Sequence, residues 1–152
     1  MNIVKHSKDS SLPQSQKKRF PYSISKIIPA LLLASILGTY LDLFFVGKGL
    51  YSFPQRPFAS VFSINISFTL LGLPLLIAIF LSVCDRQKLK GKIALIILLS
   101  LTMAVSEKFA ETLGLFIHRE SWKHSYSFIG YSVYLTIVYA FYFWSNNRSI
   151  AQ

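Results

Sequence analysis

The sequence predicts an all-α integral membrane protein, a four-helix bundle with its N-terminus and C-terminus both cytoplasmic. Three observations point that way. Only 14% of the 152 residues are charged and 53% are hydrophobic, whereas soluble domains hold about 25% charged residues. The apolar residues gather in segments near the length a helix needs to cross about 30 Å of hydrocarbon. Eleven of the sixteen Lys and Arg fall on segments that four crossings would place on one side, and such an excess marks the cytoplasm. The single cysteine, Cys84, excludes an intramolecular disulfide and a Cys-x-x-Cys redox pair.

Residues 1–26 mix Ser, Gln, Lys and Pro with few large apolar groups and predict a disordered cytosolic tail. Its cluster of Lys17, Lys18 and Arg19 precedes the first span and predicts contact with anionic lipid, worth about 1 kcal/mol per charge near the surface. The membrane domain runs over 27–146. Its first span, about 27–46, holds one charge, Asp42. No Ala-x-Ala site follows, so the segment reads as a retained helix rather than a cleaved signal. The second span, about 59–83, is uncharged and contains Gly72 and Pro74; proline removes a backbone donor and predicts a kink.

The loop at 85–92 carries Arg86, Lys88, Lys90 and Lys92. The third span, about 93–112, is less regular. Residues 93–105 reach only about 20 Å as a helix, so a crossing requires the helix to continue past Glu107, Lys108 and Glu111. Lys108 would snorkel toward the headgroups. The fourth span, about 125–144, is again uncharged, and 147–152 form a short cytosolic tail.

Both external loops interleave aromatic and basic residues. Tyr and Trp favour the headgroup level, so both loops are expected on the membrane surface. Lys48, Arg56, His118, Trp122 and His124 are the candidates there for a ligand-binding lid.

Depth arithmetic singles out a polar layer. Counting from the cytosolic ends, Asp42 lies about 22 Å and Glu107 about 21 Å along their helices. Counting down from the outer boundary, Asn65 lies about 9 Å deep, with Tyr131 and Ser132 at the same level. Ser100, Ala104, Glu107, Glu111 and Gly114 share one helix face by their three-and-four spacing, and small residues on such a face let a neighbour approach closely. The layer of Asp42, Asn65, Glu107, Glu111 and Tyr131 admits two uses. It can hydrogen-bond across helices and fix their register, or it can form an outward pocket for a proton, a cation or a small polar solute.

No metal or cofactor is expected. Glu107, Glu111, His118 and His124 match no compact ligand spacing, and no His lies inside a span to hold haem. Lys48, Arg56 and Pro57 miss the spacing of membrane lipid phosphatases by one residue and lack the His nucleophile that chemistry needs. The dispersed basic charge excludes a nucleic-acid partner. The sequence therefore predicts a non-enzymatic accessory or regulatory component of the cell membrane, meeting a membrane-protein partner or a second copy. The alternative is a small transporter or a solute- or proton-binding protein using the polar layer.

The blocks Gly38-Thr39-Tyr40-Leu41-Asp42, Val46-Gly47-Lys48-Gly49-Leu50-Tyr51, Arg56-Pro57 and Ser63-Ile64-Asn65-Ile66, with Trp122 and the residues through Tyr131, resemble a group of small four-pass membrane proteins of Gram-positive, Bacillus-type spore-forming bacteria. The likeness covers about residues 30 to 145. It implies a four-pass fold in the cytoplasmic membrane and a shared identity for Asp42, Lys48, Arg56, Asn65, Trp122 and Tyr131. That group carries no assigned activity, so the resemblance implies no role for these residues.

Overall fold

The computed structural model describes residues 22–120 and 122–148; residues 1–21 of the expected tail, with Lys17, Lys18 and Arg19, lie outside them, whereas 22–26 are not a disordered tail but the start of α1. Helix α1 runs over Tyr22–Gly47, α2 over Leu73–Cys84, α3 over Leu89–Thr112 and α4 over His124–Arg148. Two short strands, β1 (Tyr51–Ser52) and β2 (Ile117–His118), follow α1 and α3. Three stretches, Ser25–Gly47, Leu89–Thr112 and Ser125–Asn147, are long and apolar enough to cross a membrane. The third-span helix continues unbroken through Glu107 and Glu111 to Thr112.

The second span differs from the expectation. Its helix covers Phe68–Cys84, and most of the chain from 53 to 65 is an irregular loop. Arg56 explains the loss. Its guanidinium donates to the carbonyls of Phe53 (2.6 Å), Phe62 (2.6 Å) and Ala59 (3.2 Å), so two acceptors that a helix from 59 would have used, those of Ala59 and Phe62, are satisfied by a side chain. Phe58 takes a positive φ of 55° within this loop.

Asn65 then starts the helix: its Oδ1 accepts the Phe68 N–H at 3.2 Å, the bond of an N-cap residue to the third helical position. The expected kink also takes a definite form. Residues Phe68–Gly72 make a π-helical turn, with the Leu73 N–H bonded to the Phe68 carbonyl five residues back. Pro74 follows directly. It cannot donate to Leu70 and its ring crowds that carbonyl in a regular helix, so the wider turn just before it relieves the conflict.

α1 and α3 end alike. Leu50 N–H reaches Phe45 O (3.0 Å) and Gly49 N–H reaches Val46 O (2.9 Å); Leu115 N–H reaches Ala110 O (3.0 Å) and Gly114 N–H reaches Glu111 O (3.0 Å). Each pair is a Schellman cap, which puts its glycine in the left-handed region; φ is 64° at Gly49 and 69° at Gly114. Both caps deliver the chain to the strands, which pair antiparallel with Tyr51 opposite His118 and Ser52 opposite Ile117.

The helices pack around a buried core of Ala30 and Ala34 (α1), Leu73, Ile77, Phe80 and Leu81 (α2) and Tyr134, Leu135 and Val138 (α4). On α1, Ala30, Ala34, Gly38 and Asp42 repeat every four residues and form one face. Small side chains there let the neighbours close in: a Cβ at Gly38 would run into Leu73, and the Tyr134 hydroxyl donates to the Ala34 carbonyl at 2.8 Å. On α3, Ser100 and Ala104 are buried as their spacing predicts. At the end opposite the strands, Tyr142 donates to Asp85 Oδ2 and Lys92 Nζ to the Tyr139 hydroxyl, each at 2.6 Å. These bonds fasten the 85–88 turn and the first turn of α3 to α4.

Candidate functional site

The strand end of the bundle gathers the polar groups. Asp42 and Glu107 each stand seven residues before the capping glycine of their helix, about 10 Å below its end, so the shared cap geometry sets their shared level. Each carboxylate accepts a phenol: Tyr51 donates to Asp42 Oδ1 at 2.5 Å, and Tyr131 donates to Glu107 Oε1. Burial, then the adjacent Asp42 carboxylate, push the Tyr51 phenol well above the usual tyrosine range, so Tyr51 remains a donor at any physiological pH.

Glu111, one turn beyond Glu107, turns to β2. Its Oε1 accepts the His118 backbone N–H at 3.1 Å and lies 3.0 Å from His118 Nδ1. A proton must lie between Nδ1 and this oxygen, since two lone pairs facing each other at that distance would repel. The other ring nitrogen, Nε2, faces Glu107 Oε2 at 3.6 Å. His118 is thus held edge-on between two carboxylates of one helix face.

An aromatic stack closes this end. The His118 ring lies parallel to Trp122, with centroids 5.5 Å apart and planes at 11°, and meets Phe116 edge-on at 4.5 Å. Tyr51 packs against Phe116 at 4.9 Å, and Trp122 meets Phe45 at 5.7 Å. Trp122 Nε1 donates to Ser127 Oγ at 3.0 Å, so its polar edge is satisfied within the stack. Edge-to-face pairs of this kind add about 0.5–1.5 kcal/mol each beyond the area they bury.

Beside the carboxylates is a cavity of about 410 Å³ between α1, the π-helical turn and α4. Asp42, Glu107, Tyr51, Tyr131 and Trp122 form its polar and aromatic wall, and Leu37, Leu41, Leu73 and Ile137 are among its apolar lining. Its volume is that of a small-molecule pocket, and apolar walls with a few placed polar groups are the usual lining of such sites.

The structure brings together Asp42, Glu107, Glu111, Tyr131, His118 and Trp122 from the sequence-derived candidates. It separates others. Asn65 is no member of the layer, because the helix it was expected to sit in begins after it and its amide oxygen is spent on the cap. Lys48 is exposed, its ammonium 5.8 Å from the centre of the Phe44 ring, and Arg56 is committed to loop carbonyls. His124 opens α4, but its side chain lies outside the described residues. Among the described residues no group of three or more His, Cys, Asp or Glu is placed to hold a metal ion.

Sequence reasoning missed the role of Tyr51, which looked like one more interfacial aromatic. A signal for it exists in the parallel between Gly49-Leu50-Tyr51 and Gly114-Leu115-Phe116, each starting seven residues after a carboxylate. No protein-family model, curated protein or solved structure matches the chain.

Proposed function

We propose that this is a small multi-pass protein of the cell membrane, with all four helical segments crossing and both termini cytoplasmic. In this reading it binds a small solute in the cavity beside Asp42 and Glu107, in the outer leaflet. The excess of Lys and Arg on the tail and the 85–92 loop supports the orientation. So does the resemblance to four-pass proteins of Gram-positive spore formers. The helix over Phe68–Cys84 reaches about 25 Å, and exposed Phe58, Val61 and Phe62 in the preceding loop supply apolar surface for the remainder.

The observation that favours solute binding over a purely helix-contacting accessory role is the cavity itself. A polar layer that served only to fix helix register would gain by packing shut, since voids sacrifice dispersion contacts. Here two carboxylates, each held by a tyrosine, stand on the wall of a space large enough for a ligand. Binding, rather than catalysis, is the reading, because the carboxylates meet phenols and an imidazole and not a paired nucleophile and base.

Gly130 provides the test. It lines the cavity, and a Cβ there would meet nothing within 4 Å, so Gly130→Phe should fill the space without disturbing the carboxylates. Thermal unfolding of the full chain in nanodiscs is followed against a panel of small solutes. At least one solute should raise the midpoint of the parent and leave Gly130→Phe unmoved. If no solute separates the two proteins, the cavity is a packing feature and the accessory reading replaces this one.

A further inference from the structure

The cavity has two properties that together restrict what can occupy it: where it opens and what its wall leaves unsatisfied. The lining side chains with most exposure are Tyr126, Val133 and Ile137 on α4 and Phe68 at the π-helical turn. The first three, with Gly130, recur at four, three and four residues, so one face of α4 forms the rim. Val133 and Ile137 lie well inside the apolar stretch Ser125–Asn147, so with α4 across the bilayer the mouth faces hydrocarbon. The strand end is closed by the stack of Tyr51, Phe116, His118 and Trp122, in which the His118 side chain is only 5% exposed. A solute that partitions into the outer leaflet reaches this mouth directly.

The wall sets the charge. Tyrosines occupy one oxygen of each carboxylate. The second oxygen of Asp42 accepts no hydrogen bond among the described residues, and Oε2 of Glu107 is buried without one, 3.6 Å from His118 Nε2. Ionised, Asp42 and Glu107 give this wall two negative charges. An anion would be repelled here, and a neutral polar group would leave buried charge uncompensated. An ammonium group supplies both the charge and an N–H donor for the free oxygen of Asp42, while the buried Oε2 of Glu107 contributes charge alone. Ring faces attract such cations as well, and Tyr51, Trp122, Tyr126, Tyr131 and Tyr134 all line the space. The π-helical turn contributes Phe68 and Thr69 to the same wall, and such turns are frequent at functional sites.

We infer that the cavity takes an organic ammonium ion carried on an apolar body, admitted from the hydrocarbon between α4 and the π-helical turn. The inference rests on the solute-binding reading above and deepens it by naming the ligand class and its route.

Three probes separate the terms: 4-phenylbutylammonium, its neutral counterpart 4-phenylbutanol, and methylammonium, which has the charge without the apolar body. Equilibrium binding is measured to the full chain in nanodiscs, with empty nanodiscs subtracted for partitioning. The expected result is saturable binding of one 4-phenylbutylammonium per chain, with both other probes at least about tenfold weaker, the factor that 1.4 kcal/mol represents. Asp42→Asn and Glu107→Gln should each weaken the ammonium about tenfold and leave 4-phenylbutanol unchanged. Gly130→Phe, which keeps both carboxylates, should abolish binding of 4-phenylbutylammonium and guards against a carboxylate variant that fails to fold.

Equal binding of 4-phenylbutanol, or indifference to both carboxylate variants, overturns the cationic class and leaves solute binding standing. Methylammonium binding as tightly as 4-phenylbutylammonium overturns the apolar body and the hydrocarbon route. If none of the probes binds saturably, the ammonium assignment fails, and the solute panel with Gly130→Phe decides the broader reading separately.

Discussion

The two halves of the molecule, residues 22–84 and 89–148, follow one plan at the strand end and then part. Each sends up a long helix with a carboxylate seven residues before a left-handed glycine, caps it in the same way and adds a two-residue strand. After β1 the chain passes through an irregular loop, stapled by Arg56, before its next helix begins. After β2 it re-enters helix at His124. The connector decides the partner. Asp42 takes its phenol from the strand after its helix, nine residues on, while Glu107 takes one from the following helix, twenty-four residues on. Helix arithmetic and the cap thus fix how deep each carboxylate sits, and the length of the return path fixes what it meets.

The largest expected effect lies in the first half, where α1 packs closely on its neighbours. Gly38→Leu drives a side chain into Leu73 and toward the Tyr134 hydroxyl. It should cost up to about 3 kcal/mol, the upper range for overpacking, read as a lowered unfolding midpoint in nanodiscs. A midpoint equal to the parent's would show that the α1 face of Ala30, Ala34 and Gly38 does not control the packing.

Next come the two phenols. Tyr51→Phe leaves Asp42 with no described side-chain partner and should cost about 2 kcal/mol, in the range for hydrogen bonds to charged groups. Tyr131→Phe should cost less, because His118 still faces Glu107. Equal losses for the two variants would break the asymmetry between the halves.

The caps make the opposite forecast. Gly49→Ala and Gly114→Ala each force a Cβ into the left-handed region, at about 1–2 kcal/mol, and the two losses should match. Unequal losses would show that the shared plan is only apparent. Smallest of all, Gly130→Ala faces open space in α4 and should stabilise by about 0.8 kcal/mol through helix propensity alone. Destabilisation there would mean that something occupies the cavity in the resting protein.

Much of the frame was legible in the residues. Missing charge marks the apolar helices, and 1.5 Å per residue puts Asp42 and Glu107 at one level. The three-and-four spacing on α3 correctly buries Ser100 and Ala104. The helix of the second span was expected over 59–65 as well, where the chain is irregular, because apolar composition reports partition into lipid and not backbone state. A single arginine satisfying several carbonyls is invisible to a hydropathy window. The equivalent face on α1 was hidden because Ala30, Ala34 and Gly38 sit among leucines and isoleucines that give no polar contrast.

What the sequence by itself determined is one-dimensional: which segments are apolar, how far along them each carboxylate lies and where proline forbids a regular turn. These follow from local chemistry and a fixed rise per residue. Only the tertiary structure decided that Tyr51 belongs to Asp42, that His118 lies between Glu107 and Glu111, and that a cavity remains between α1 and α4. Each of those depends on how two strands pair and on how closely small residues let helices approach, distances set by contacts between residues far apart in the chain.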